Sequence, residues 1–171
     1  MLFGKVNPGG KLPVSIARSV GQLPVYYNHK PTARRGYLFD TTAPLYPFGY
    51  GLSYTTFSIS APPIVTPMIK VGQPAQVDVD VANTGARAGD EVVQLYVRDD
   101  EASVTRPVIE LRGFRRVTLA PGEKQTLRFE LQPDDLALWN ADMKRVVEPG
   151  TFTIYAGPNS VELKSAKLTV R

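Results

Sequence analysis

The chain has 171 residues, 43% hydrophobic and 21% charged, with a net charge of +4 and no cysteine. This is the composition of a globular chain, long enough for one domain or for one domain plus a fragment, and it excludes an intrinsically disordered protein, disulfides and thiolate metal sites. The missing cysteines leave the compartment open, so localisation is unknown from composition alone. No apolar run reaches the roughly 18 residues of a membrane span, and no membrane is expected as a partner. The opening MLFGKVNPGG has no continuous apolar core and does not read as a signal peptide. Up to residue 77, Lys5, Lys11, Arg18, Lys30, Arg34, Arg35 and Lys70 face a single acid, Asp40. Those cations stand singly apart from Arg34 and Arg35, whereas phosphate binding calls for clustered cations, so no nucleic acid is expected.

Residues 1–54 hold six prolines and seven glycines, which forbid a long helix. Residues 11–16, KLPVSI, alternate as a strand, and Pro13 places that strand at an edge. A second extended piece is expected at residues 23–27. Isolated strands of this kind build no core, so this third of the chain reads as the end of a larger unit. Residues 44–56, PLYPFGYGLSYTT, then interleave Tyr46, Phe48, Tyr50 and Tyr54 with Gly49, Gly51 and two prolines. Aromatics bury large areas and glycine allows close backbone approach, which suits a seam between two units.

From Phe57 the pattern becomes repeated alternation. A short strand is expected at residues 55–60. Val77, Val79 and Val81 alternate with Asp78 and Asp80, and Asn83, Thr84 and Gly85 form a turn. Val93, Leu95 and Val97 face inward, with Gln94, Tyr96 and Arg98 opposite. In residues 111–119 the period breaks at Gly113, which suggests a bulge. Pro121 and Gly122 turn the chain into Leu127, Phe129 and Leu131. Asp134 is placed to cap a helical turn at residues 135–138, with Trp139 plugging one end of the core. Phe152, Ile154 and Ala156, then residues 163–170, complete about seven strands, the signature of an all-β two-sheet sandwich.

Chemistry is sparse. His29 is the only histidine and lies in no serine-nucleophile setting, which leaves it a polar loop contact. Asp40 alone cannot supply a carboxylate pair before Asp78. Asp99, Asp100 and Glu101 lack the spaced ligands of a calcium loop and read as a solvated hairpin tip. No metal, no cofactor and no catalytic residue is expected. Tyr26, Tyr27, His29, Arg34 and Arg35 remain as residues for sugar or partner contact, beside Tyr37 and Phe39; the alternative for the aromatics is packing between domains.

The stretch GKVNPGGKLPVSIARSVGQLPVYYNHKPTARRGYLFD, followed by PLYPFGYGLSYTTF, resembles the end of the α/β sandwich domain of glycoside hydrolase family three β-glycosidases. NTGARAGDEVVQLYVRD, RPVIELRGFRRVTLAPGE and VVEPGTFTIYAGPNS resemble that family's C-terminal fibronectin type III-like domain. The resemblance implies a fibronectin type III-like, immunoglobulin-like β-sandwich at residues 55–171, preceded at 1–54 by an irregular tail from the α/β domain and an aromatic linker. It also implies a parent that is a retaining, exo-acting hydrolase of β-glucosides or β-xylosides, secreted or periplasmic. The family's nucleophile and acid/base carboxylate both belong upstream of these residues, so the chain alone is expected to be inactive. Its role would then be interdomain scaffolding, with Tyr46, Phe48, Tyr50 and Tyr54 packing against the upstream catalytic domains. The rival reading is a stand-alone polysaccharide-binding module. Residues 11–16, as an open edge, further suggest a homodimer.

Overall fold

The computed structural model describes residues 2–31 and 40–171. Alternation in the sequence becomes strand wherever one face has a core to meet. Val77, Val79 and Val81 are fully buried on β3 (Ala75–Asn83), while Asp78 and Asp80 stand on its outer face. β6 (Lys124–Leu131) repeats the pattern and pairs antiparallel with β3, Val77 opposite Phe129 and Asp78 opposite Arg128. β1 (Phe57–Ile59) closes this sheet along the other side of β3. The second sheet holds β2 (Met68–Ile69), β4 (Gly89–Asp99), β5 (Glu110–Leu119), β9 (Gly150–Gly157) and β10 (Lys164–Val170) in the order β2-β10-β9-β4-β5. Its pairings are antiparallel except for the short β2–β10 contact.

The two sheets close over one core. Val77, Val79, Val81, Leu127 and Phe129 meet Val93, Leu95, Phe152, Ile154 and Leu168. Each such side chain contributes about 1.5–3 kcal/mol on burial, so the core carries the fold. With seven strands of three residues or more among the described residues, this is the expected all-β, fibronectin type III-like sandwich. The bulge is present as well. Leu95 pairs with Gly113 but Tyr96 pairs with Leu111, leaving Arg112 as the extra residue.

Several local expectations need correcting. The first strand is Phe57–Ile59, shorter than 55–60. The helical turn α1 is Pro133–Leu136 and its N-cap is Gln132, whose N–H donates to the Asp135 carboxylate at 2.8 Å. Pro133, with no N–H to lose, takes the first turn, and Asp134 turns instead toward Arg145. Trp139 does not plug the core but stands 60% exposed on β7 (Leu138–Trp139), which pairs with β8 (Arg145–Val146). Neighbours on a strand point to opposite faces, and Leu138 holds the inward place.

Residues 11–16 make no regular strand. Ile16 forms an isolated bridge with Tyr46, and Leu12 exchanges backbone hydrogen bonds with Gly49 and Tyr50. Pro13 on one side and Pro44 and Pro47 on the other lack the amides that a continuous ladder needs. Nor is 23–27 a strand; a single 3-10 turn, Val20–Gln22, precedes it.

Candidate functional site

Residues 2–31 and 40–54 lie along the sandwich, and what joins the two is a layer of aromatic and amide groups on the outer face of the five-stranded sheet. Phe48 stacks on Tyr27 with ring centroids 4.3 Å apart, and Tyr27 meets Tyr96 of β4 edge-on at 5.7 Å. The Tyr27 hydroxyl accepts from the N–H of Leu111 at 3.2 Å. Beneath them Tyr96 donates to the Gln94 side-chain oxygen at 2.5 Å, and the Gln94 NH2 donates to the carbonyls of Gly49 and Pro158. Burial pushes the Tyr96 phenol well above its ordinary range, with the Tyr27 phenol adding to the effect. Gln94 and Tyr96 are therefore buried, not solvent-facing as single-sided alternation implied. The signal available in the sequence was the run VVQLYV, which has the near-continuous apolar character of a strand covered on both faces.

Further anchors hold the layer at its ends. Lys11 reaches Glu91 of β4 at 2.7 Å, with side chains only 16% and 8% exposed. Asn7 takes the N–H of Tyr54 at 2.7 Å and donates to the carbonyl of Ala88. The Val108 N–H donates to the carbonyl of His29 at 2.9 Å, and the Ser160 N–H to that of Phe48 at 3.0 Å. Among the residues expected to contact sugar or a partner, Tyr27 and His29 are brought together on this face. Tyr26 is exposed, and Arg34 and Arg35, like Tyr37 and Phe39, lie outside the described residues. Of the four seam aromatics, Phe48 is stacked inward, Tyr46 and Tyr50 pair with each other at 5.0 Å, and Tyr54 sits under the Arg87 guanidinium at 5.9 Å.

A cavity of about 290 Å³ opens where this cover ends. Tyr27, His29 and Ser15 form one wall; Arg98 of β4, Tyr155 of β9 and Ser160 form the other. A larger groove of about 660 Å³ runs between residues 8–11 and β1, lined by the Lys11–Glu91 pair.

Several carboxylates are committed to structural partners, whereas one buried oxygen of Asp99 has none among the described residues. The Asp78 carboxyl is held below the usual range by its hydrogen bond from Arg128, and that of Asp90 by the Thr118 hydroxyl and then Arg116. Asp100 binds Thr153 and Lys167 at 2.8 Å each, so the expected solvated hairpin tip is in part a closed polar cluster. Burial raises the Asp99 carboxyl, while Ser103 lowers that of Glu148. Opposed shifts of this kind can mark an acid and base pair, but neither residue lines the two cavities above, and Glu148 is taken up by the Ser103 hydroxyl and N–H. Among the described residues no three His, Asp or Glu side chains gather as a metal site.

Comparison with known proteins matches residues 1–54 to the glycosyl hydrolase family 3 C-terminal domain and residues 91–160 to the fibronectin type III-like domain. A β-xylosidase of Formosa agariphila is 50% identical over the whole chain, which covers 24% of that protein. A periplasmic β-glucosidase of Salmonella typhimurium is 44% identical over 96% of the chain and 23% of its own length. Among solved structures, a β-glucosidase from Erythrobacter marinus superposes with a TM-score of 0.96 at 53% identity, over 99% of this chain and 23% of that one. The chain thus spans about a quarter of the length of the relatives it matches. Sequence, fold and these matches agree along the whole chain, which belongs to glycosyl hydrolase family 3 and corresponds to the C-terminal part of its β-glucosidases and β-xylosidases.

Proposed function

We propose that this chain is a non-catalytic scaffold of a retaining, exo-acting β-glycosidase, with a fibronectin type III-like unit at 55–171 carrying the end of an α/β domain at 1–54. One observation supports the reading above the others. Residues before 55 are tied to the sandwich by Phe48, Tyr27, Gln94 and Lys11, yet leave Leu2, Phe3, Val20, Leu23 and Leu52 exposed. An apolar set presented by a firmly attached layer suits contact with a further protein unit, here the catalytic domains of the parent enzyme. Tyr46 and Tyr54, half-exposed on the same layer, belong to that contact. The commitment of Asp78, Asp90, Asp100 and Glu148 to local partners favours a structural over a hydrolytic role for the chain itself. The Salmonella relative is periplasmic by name, which favours a parent that works outside the cytoplasm.

Hydrolysis of aryl β-glucoside and aryl β-xyloside by the purified chain tests the reading. No turnover is expected from a folded sample. Turnover that co-purifies with the chain and survives repeated purification overturns it, and moves attention to Asp99 and Glu148.

A further inference from the structure

The cavity between the N-terminal layer and the sandwich has a lining whose chemistry can be read independently of any scaffold role. Its volume of about 290 Å³ lies at the lower end of small-molecule pockets. Its lining is rich in donors. Arg98 has only a 3.4 Å contact from Nε to Asp100, whose carboxylate already binds Lys167 and Thr153 more closely. The Tyr155 hydroxyl and the Ser160 hydroxyl make no hydrogen bond among the described residues, and His29 uses only Nδ1, toward the carbonyl of Lys30. Among the described residues no carboxylate lines this cavity. The guanidinium is the one full charge there among the described residues, and its side chain is 49% exposed.

A pocket of donors around one cation, with no anion of its own, is complementary to a carboxylate, and guanidinium binds that group in a two-pronged geometry. The remaining wall decides what carries the carboxylate. Tyr27 is held rigidly by its stack on Phe48, and Tyr155 and Pro47 add flat apolar surface beside the donors. Rigid aromatic faces next to hydroxyl and imidazole groups suit a polyhydroxylated ring, whose C–H face packs on an aromatic while its hydroxyls find partners. We propose that this cavity binds a sugar acid of one-ring size, a hexuronate, with its carboxylate on Arg98 and its ring between Tyr27 and Tyr155.

Titration of the isotope-labelled chain with D-glucuronate, D-glucose and acetate, followed by two-dimensional NMR, tests this directly. Saturable shifts confined to residues around Tyr27, Arg98 and Tyr155 are expected with glucuronate, with glucose and acetate each binding at least about tenfold more weakly. Arg98→Gln is expected to weaken glucuronate by about tenfold or more, and Tyr155→Phe by a smaller factor, with both spectra otherwise retaining the pattern of the folded chain. Glucose binding as well as glucuronate would remove the carboxylate from the proposal, and acetate binding as well would remove the ring. Absence of saturable shifts at millimolar glucuronate, or an unaltered affinity in a folded Arg98→Gln variant, would overturn the site altogether. None of these outcomes bears on the absence of turnover expected above, so the two readings fail separately.

Discussion

Gly49 adopts φ +81°, and a Cβ there would run into the Gln94 carboxamide. The two requirements coincide, because the left-handed backbone is what lets the Gly49 carbonyl accept from Gln94 while its N–H donates to Leu12. In Gly49→Ala the backbone alone costs about 1–2 kcal/mol, and Gln94, pinned by Pro158 and Tyr96, has little freedom to move aside. The expected result is local. Amide protection is lost at Leu12 and Gly49, whereas the Val77, Val79 and Val81 amides of the core sheet keep theirs. Hydrogen exchange followed by NMR separates the two sets. Unchanged protection at Leu12 would show that the seam does not depend on Gly49. Loss at β3 as well would show that seam and sandwich open as one unit.

At the scale of elements, the paired strands carry their charges where register puts opposite signs across from each other. Asp78 lies directly opposite Arg128, and Asp90 directly opposite Thr118 with Arg116 alongside. The folded values of these carboxyls lie below their unfolded ones. Such groups stabilise fully above the unfolded value, and the contribution is lost as pH falls through the folded one. Asp99 has the opposite sign. Burial raises its folded value, so protonation on acidification favours the folded state and offsets part of the loss. The melting temperature is therefore expected to stay level from neutral pH to about pH 5 and to fall below about pH 4. A double Asp78→Asn, Asp90→Asn variant should start lower at neutral pH and fall less steeply in acid. Because Arg128 and Arg116 are exposed, salt should narrow the difference. Parallel pH profiles for the two proteins would exclude these pairs as the source of the acid sensitivity.

The same elements show what sequence alone conveys. Alternation was readable in β3 and β6 because each has one face in the core and one in water. It misled at β4, where the second face is covered by Tyr27 and by the Gly49 backbone, 69 residues before Tyr96 and 45 before Gln94 in sequence, long-range contacts that no local period encodes. Glu91 was missed for the same reason, since its partner Lys11 lies in that layer. Trp139 was placed inside on size and hydrophobicity, but a two-residue strand offers one inward position and Leu138 fills it. In the candidate site, Tyr27 and His29 were identifiable as polar aromatics in a loop. Arg98 and Tyr155 join them only through the neighbouring pairing of β4 with β9.

At the scale of the whole molecule, the question is what the exposed apolar residues of the N-terminal layer do when the chain is alone. Leu2, Phe3, Val20, Leu23 and Leu52 are solvent-facing, and the relatives are about four times longer than this chain. Two routes to self-association compete. In one, residues 11–16 pair edge to edge with a second copy. In the other, apolar side chains meet across the layer. The edge route is weakened because Leu12 and Ile16 already spend their backbone groups on the segment from Leu45 to Tyr50 of the same chain, and Pro13 has no amide to offer between Lys11 and Val14. A strip whose remaining amides are interrupted by a proline is a poor template for a ladder, whereas exposed apolar side chains drive association in proportion to the area removed from water. The apparent mass from light scattering is thus expected to rise with concentration in the chain and equally in Val14→Pro, and to return toward the monomer in a Leu23→Ser, Leu52→Ser variant. Suppression by Val14→Pro would instead place the contact on the strand edge. A monomer at every concentration would mean that these residues are too dispersed to form a patch, and the scaffold reading would lose its docking face.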